Sequence, residues 1–173
     1  MKPRILIACI GNIFLGDDGF GVEVARQLGE RELDPEVLVK DFGIRGLDLA
    51  YALMDRCELT ILVDACQRGG APGTVYLIEP DPVDAATLHG NPAQMSPHGM
   101  NPMNALRVVQ SMGGEPGRVL IVGCEPADLG SDAEGKLGLS DTILASVDEA
   151  IALIESLVSK MLQGDALEAA ARS

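Results

Sequence analysis

Three short runs, "RILIACI" (4–10), "LTILVDA" (59–65) and "RVLIVGC" (118–124), are apolar at nearly every position. A strand half-exposed to water alternates polar and apolar residues. A strand apolar at every position is covered on both faces. Between and around these runs lie segments with a helical period. "FGVEVARQL" (20–28) puts Phe20, Val22, Val24, Ala25 and Leu28 on one broad face. "GLDLAYALMDR" (46–56) reads as a second helix, and 141–162, behind Ser140, as a long last one. "EVLVKDFG" (36–43) and "GTVYLIEP" (73–80) supply two further strands. The order is β-α-β-α-β-β-loop-α-β-α. It predicts a three-layer α/β/α fold: a twisted, mostly parallel five-stranded sheet with one antiparallel strand and helices on both faces. The glycine-proline turn after the third strand suggests that the fourth closes back on it as a hairpin.

A chain of 173 residues that is 47% apolar fits one domain with a real core. We expect that domain over residues 1–163 and a frayed tail over 164–173. Residues 81–98 carry three prolines and read as a long irregular loop, of the kind that is functional or disordered. Asn101-Pro102 then caps and opens a helix that runs to Gly113-Gly114. The net charge is −13. Such a surface repels nucleic acid and anionic membranes, and it attracts cations or basic peptides. No apolar run approaches the roughly 20 residues of a membrane span, and "RILIACIG" reads as a strand, not a signal peptide. Cys9, Cys57, Cys66 and Cys124 form no C-x-x-C pair. They read as free thiols of a reducing cytoplasm.

In sheets of this kind ligands bind beyond the carboxyl ends of the strands. The first such end opens into "GNIFLGDDGFG" (11–21). Gly11 and Gly16 have the spacing of a phosphate loop, yet Asp17 and Asp18 stand where Lys and Ser or Thr belong. The spacing of Gly16, Gly19 and Gly21 reverses the dinucleotide fingerprint. Two carboxylates repel the anion such turns hold. One Asp can cap the helix that follows. The other needs a cation or a proton. Asp64 closes the third strand at the same rim. His98, in "MSPHGMNP", precedes the proposed cap, while His89 reads as a surface residue. Asp18, Asp64 and His98 would present two oxygens and one imidazole nitrogen, a set suited to nickel or zinc with a coordination position left open. For each residue alone the plainer readings are a helix cap, a loop-stabilising Asx contact and a solvated histidine. The thiols read as small buried apolar groups outside the site.

With these residues in view, "GNIFLGDDGFG" resembles the G-N-x-x-x-x-D-[DE]-x-x-G signature of the nickel–iron hydrogenase maturation endopeptidases. "ILVDA" resembles that family's second acidic position, and "PHGMNP" its histidine segment. The resemblance runs in order along nearly the whole chain. It implies a hydrolase that removes a C-terminal extension from the nickel-loaded precursor of a hydrogenase large subunit. It also implies metal-binding roles for Asp18, Asp64 and His98, with Asp17, Gly11, Asn12, Gly16, Gly19, Gly43 and Gly46 in support. The metal would be nickel brought by the substrate, or a resident zinc or other divalent ion with Asp17 or Glu23 as auxiliary base. A monomer is expected. One departure stands in "DFGIRG", where Ile44 occupies a position that often carries a hydroxyl in the family. A non-proteolytic nickel chaperone is the competing reading. A flavodoxin-like module fits the acidic turn and scarce aromatics poorly.

Overall fold

A computed structural model describes residues 2–81, 102–131, 133–167 and 171–172, the last two by their backbone. Six strands form one sheet in the order β2-β1-β3-β5-β4-β6. They are β1 (Ile5–Ile10), β2 (Val37–Gly43), β3 (Leu59–Ala65), β4 (Val75–Glu79), β5 (Arg118–Cys124) and β6 (Ala171–Arg172). The helices are α1 (Phe20–Gly29), α2 (Gly46–Met54), α3 (Pro102–Ser111) and α4 (Asp141–Gln163), and a single 3₁₀ turn, Gly16–Gly19, precedes α1.

The three doubly apolar runs are the three central strands, β1, β3 and β5. All six residues of β1 are buried, as are six of the seven in β3 and in β5. Alternation along each strand sends side chains to opposite faces. Ile5, Ile7, Cys9, Ile61 and Val63 pack with Phe20, Val24 and Leu28 of α1 and Val147, Ile151 and Ile154 of α4. Leu6, Ala8, Ile10 and Leu62 pack with Leu49 and Leu53 of α2 and Ala105 and Val109 of α3. Two cores flank one sheet, which is the expected three-layer α/β/α arrangement. Each large aliphatic side chain buried there contributes about 1.5–3 kcal/mol.

Strands β2, β1, β3 and β5 run parallel, and β4 runs antiparallel, as expected for one strand of the five. Its partner differs from expectation. β4 pairs with β5 and not with β3, so there is no β3–β4 hairpin. Both edges of β3 are already taken, by β1 over Leu59–Val63 and by β5 over its whole length. The chain passes over β5 before β4 finds a free edge. The tail differs as well. In place of a frayed segment, Leu167 is buried in the α1/α4 core, and Ala171 and Arg172 pair with Ile78 and Glu79. The outer edge of β4 would otherwise expose unpaired backbone, and the tail satisfies part of it.

The chain leaves β1 in one direction for β2 and in the other for β3. The strand order therefore reverses at β1, and a crevice opens between the carboxyl ends of β1 and β3. That reversal places the site.

Candidate active site

The turn after β1 is shaped by Gly11 and closed by Asn12. Gly11 has φ +154°, and a Cβ there would stand 2.1 Å from the carbonyl oxygen of Asp18. Its amide donates to the Gly43 carbonyl at 3.0 Å, which joins the β1 and β2 ends. The backbone N–H of Asn12 donates to Asp18 Oδ2 at 2.9 Å, and its side-chain Oδ1 accepts from the Phe14 amide at 3.0 Å. Gly21 lets α1 press directly on the sheet. A Cβ there would meet the carbonyl oxygens of Ile10 and Val63 at 2.2 and 2.5 Å. Of the other glycines singled out, Gly16 and Gly19 bound the 3₁₀ turn, Gly43 closes β2 and Gly46 opens α2.

The two adjacent carboxylates go to different places. Asp17 is fully buried and does not cap the helix beside it; neither the 3₁₀ turn nor α1 has a side-chain cap. Its Oδ2 accepts from the amides of Ala127 and Asp128 at 2.9 and 2.8 Å and from the Ser140 hydroxyl at 3.0 Å. Its Oδ1 accepts from the Ser140 amide at 2.6 Å. Asp17 thus ties the first turn to the loop after β5 and to the start of α4. Ser140 stands at the N-cap of α4, but its hydroxyl makes no cap bond there and donates to Asp17 instead.

Asp18 is half-buried and turns toward the crevice. Burial raises its proton affinity, and the Asn12 amide offsets this in part. Asp64, the penultimate residue of β3, is only 4% exposed. Its carboxyl is pushed well above the ordinary range, first by burial, then by the neighbouring charge of Asp18; the Ala65 amide works against both. Among the described residues no cationic side chain offsets either group. Two carboxylates of raised proton affinity at one crevice, Asp64 pushed further by the charge of Asp18, are suited to hold a shared proton or a divalent cation. The described residues contain no complete cluster of three metal-binding side chains. His98, the third residue of the predicted set, lies outside the described residues, as do His89, Asn101 and most of the 81–98 loop.

The auxiliary bases considered from sequence are occupied. Asp17 is saturated with donors. Glu23 accepts from Arg26 and from Gln27 at 2.8–3.0 Å, and those contacts, Arg26 foremost, hold its carboxyl below the usual range. All four cysteines are free. Burial pushes Cys9 far up, Cys66 to about 12 and Cys124 to about 11, so these thiols are not poised as nucleophiles.

One residue escaped the sequence reading. Glu125, directly after β5, is only 6% exposed. It accepts from the Arg68 amide at 2.8 Å, the Gly69 amide at 3.3 Å and the Tyr76 hydroxyl at 2.9 Å. It fastens the loop between β3 and β4. The signal that marked Asp64, an acid closing an apolar strand, was present here too. A cavity of about 450 Å³ between Glu79, Leu106 and Arg118 lies at the opposite edge of the sheet, away from the carboxylates.

A fold of this topology, with paired acids at the reversal of strand order, has known relatives. The sequence profile of a family described as hydrogenase maturation protease matches residues 22–157. The chain is 34% identical over 157 residues to the hydrogenase expression/formation protein HupD of Rhizobium leguminosarum bv. viciae, covering 89% of this chain and 75% of that protein. It is 29% identical over 149 residues to the hydrogenase 2 maturation protease of Escherichia coli (strain K12), covering 86% of each. Among solved structures it superposes on the hydrogenase maturating endopeptidase HybD from E. coli with a TM-score of 0.72 at 27% identity, covering 93% of this chain and 94% of that one. The [NiFe] hydrogenase maturation protease HycI of Thermococcus kodakarensis KOD1 gives 0.67 at 29%, covering 91% and 94%. This chain belongs to the hydrogenase maturation protease family, and it is a hydrolase of the endopeptidase class.

Proposed function

We propose that this endopeptidase removes a C-terminal extension from the nickel-loaded precursor of a hydrogenase large subunit. The observation that carries the reading is the pair Asp18 and Asp64 at the carboxyl edge of the sheet, where burial raises the proton affinity of both and the charge of Asp18 raises that of Asp64 further. A like-charge pair withdrawn from water costs folding stability, and one local amide each, from Asn12 and Ala65, offsets this only in part, which suits the pair to a cationic ligand. A divalent cation is such a ligand, and His98 supplies the third donor. The substrate's own nickel is that cation. Three protein donors leave positions open for groups of the precursor, and the metal supplies polarisation of a carbonyl or a water. The protein's part is to align the chain to be cut. A resident zinc is the less favoured form, because Asp17 and Glu23, its candidate bases, are both engaged. No helix among the described residues is long and apolar enough to cross a membrane. We place the reaction in the cytoplasm with the free thiols, and take a monomer as the working unit.

The test is intact mass of a co-encoded large-subunit precursor, nickel-loaded and nickel-free, after incubation with wild type or with His98→Ala. One defined mass loss, from the nickel-loaded precursor and wild type alone, is expected. Equal cutting of both precursors would remove the nickel requirement in favour of a resident metal. Binding of nickel without cutting would make the protein a chaperone.

A further inference from the structure

Nine large apolar side chains are exposed among the described residues, and five of them, Ile13, Phe14, Ile44, Leu47 and Leu137, lie at the carboxyl edge around the acid pair. Scattered exposed apolar residues need no explanation, but a cluster at one functional edge does. Phe14 is 60% exposed while its backbone is pinned on both sides. Its N–H donates to Asn12 Oδ1 at 3.0 Å, and its carbonyl accepts from the Lys136 amide at 2.7 Å. Leu15 and Lys136 form a bridge between the two loops, and the next residue, Leu137, is 73% exposed. Two hydrogen-bonded loops therefore hold Phe14 and Leu137 outward together. On the other side, the bond from the Gly11 amide to the Gly43 carbonyl sets Ile44 beside the same turn, with Leu47 in the first turn of α2.

We propose that this rim is a docking surface for an extended apolar segment of the substrate polypeptide, next to the bond that is cut. The inference rests on the endopeptidase reading. Its occupant follows from continuity: a main chain laid across Asp18 and Asp64 runs between Phe14 and Leu137 on one side and Ile44 and Leu47 on the other. The ordered backbone makes the rim a preformed surface, so little ordering cost falls on binding. A second copy of this chain on the same face would instead cover the acids and shut the site. Acidic ligands are disfavoured by the −13 charge.

The test compares wild type with Phe14→Ser, Leu137→Ser and the double variant on the same nickel-loaded precursor. Circular dichroism melting confirms the fold, and precursor binding is read by interferometry beside cleavage. The double variant is expected to raise KM about tenfold with kcat within about twofold. The increase should persist at high salt, because apolar contact is not screened. Unchanged KM and unchanged binding would overturn the docking surface. So would a wild-type dimer in sedimentation that the double variant dissolves with a gain in activity. Failure of wild type to cut would defeat the endopeptidase reading alone; docking would then stand or fall on whether the double variant loses precursor binding.

Discussion

Replacing Asp17 by alanine removes an acceptor shared by four donors: the amides of Ala127, Asp128 and Ser140 and the Ser140 hydroxyl. The hydroxyl can rotate to another acceptor. The three amides are fixed by the loop and by the first turn of α4, and the carboxylate they surround is fully buried. A lost intramolecular hydrogen bond costs about 1–1.5 kcal/mol at the upper end of the usual net range, so three cost about 3–4.5 kcal/mol. That is a large part of the 5–15 kcal/mol typical of a whole domain. At roughly 2–4 °C per kcal/mol for a chain of this size, the midpoint should fall by about 6–18 °C. Urea denaturation followed by circular dichroism measures it, with an unchanged slope showing that the same surface unfolds. Asp17→Asn should also destabilise, because its amide group turns donors toward donors. A loss below about 1 kcal/mol for Asp17→Ala, a single ordinary hydrogen bond's worth, would refute the view that this residue holds three segments together.

Gly21→Ala should cost at or above the upper end of the 1–3 kcal/mol seen for overpacking, since both clashing atoms are strand carbonyls that cannot swing away; chemical denaturation gives the value. Glu125 is held below its ordinary range, chiefly by the Arg68 amide. Its contribution is therefore present above the unfolded pKa and lost as pH falls through the lower folded value. The stability gap between wild type and Glu125→Gln should be widest near neutral pH and shrink below about pH 4. Nickel affinity of the free protein should rise with pH across the acidic range, because Asp18 and Asp64 hold protons above the usual values and must release them to bind; calorimetric titration at several pH values checks the sign.

The layered fold was legible because β1, β3 and β5 are apolar at nearly every position, and a covered parallel sheet accommodates such runs. The partner of β4 was not legible. A glycine-proline turn speaks of local geometry, while the actual pairing depends on β5, a distant segment, occupying that edge of β3. β6 was hidden for a similar reason: "LEAAARS" carries no strand preference and is recruited by an open edge. In the site, Asp64 could be read because it ends an apolar strand at the same rim as the acidic turn, a coincidence that a loop-stabilising Asx contact alone does not explain. Asp17 could be separated from Asp18, but its task could not be read. The preference of Asp for helix starts suggests a cap, and the real partners lie 110 to 123 residues away. Glu125 carried the signal of Asp64 and was passed over, because its partners sit in a loop with no chemical signature.

The central claim is that Asp18 and Asp64 are kept together for function at the expense of stability. The most direct measurement is the stability of Asp18→Asn and Asp64→Asn, read beside cleavage of the nickel-loaded precursor by intact mass. For a carboxyl whose folded pKa lies above its unfolded value, the charged form destabilises the fold once pH exceeds the unfolded pKa. Each unit of such a shift is worth about 1.4 kcal/mol. Removing the charge should therefore leave both variants folded and at least as stable as wild type at neutral pH, Asp64→Asn the more so, and neither should cut the precursor. Cleavage at the wild-type rate by either variant, or a marked loss of stability in both, would contradict the account.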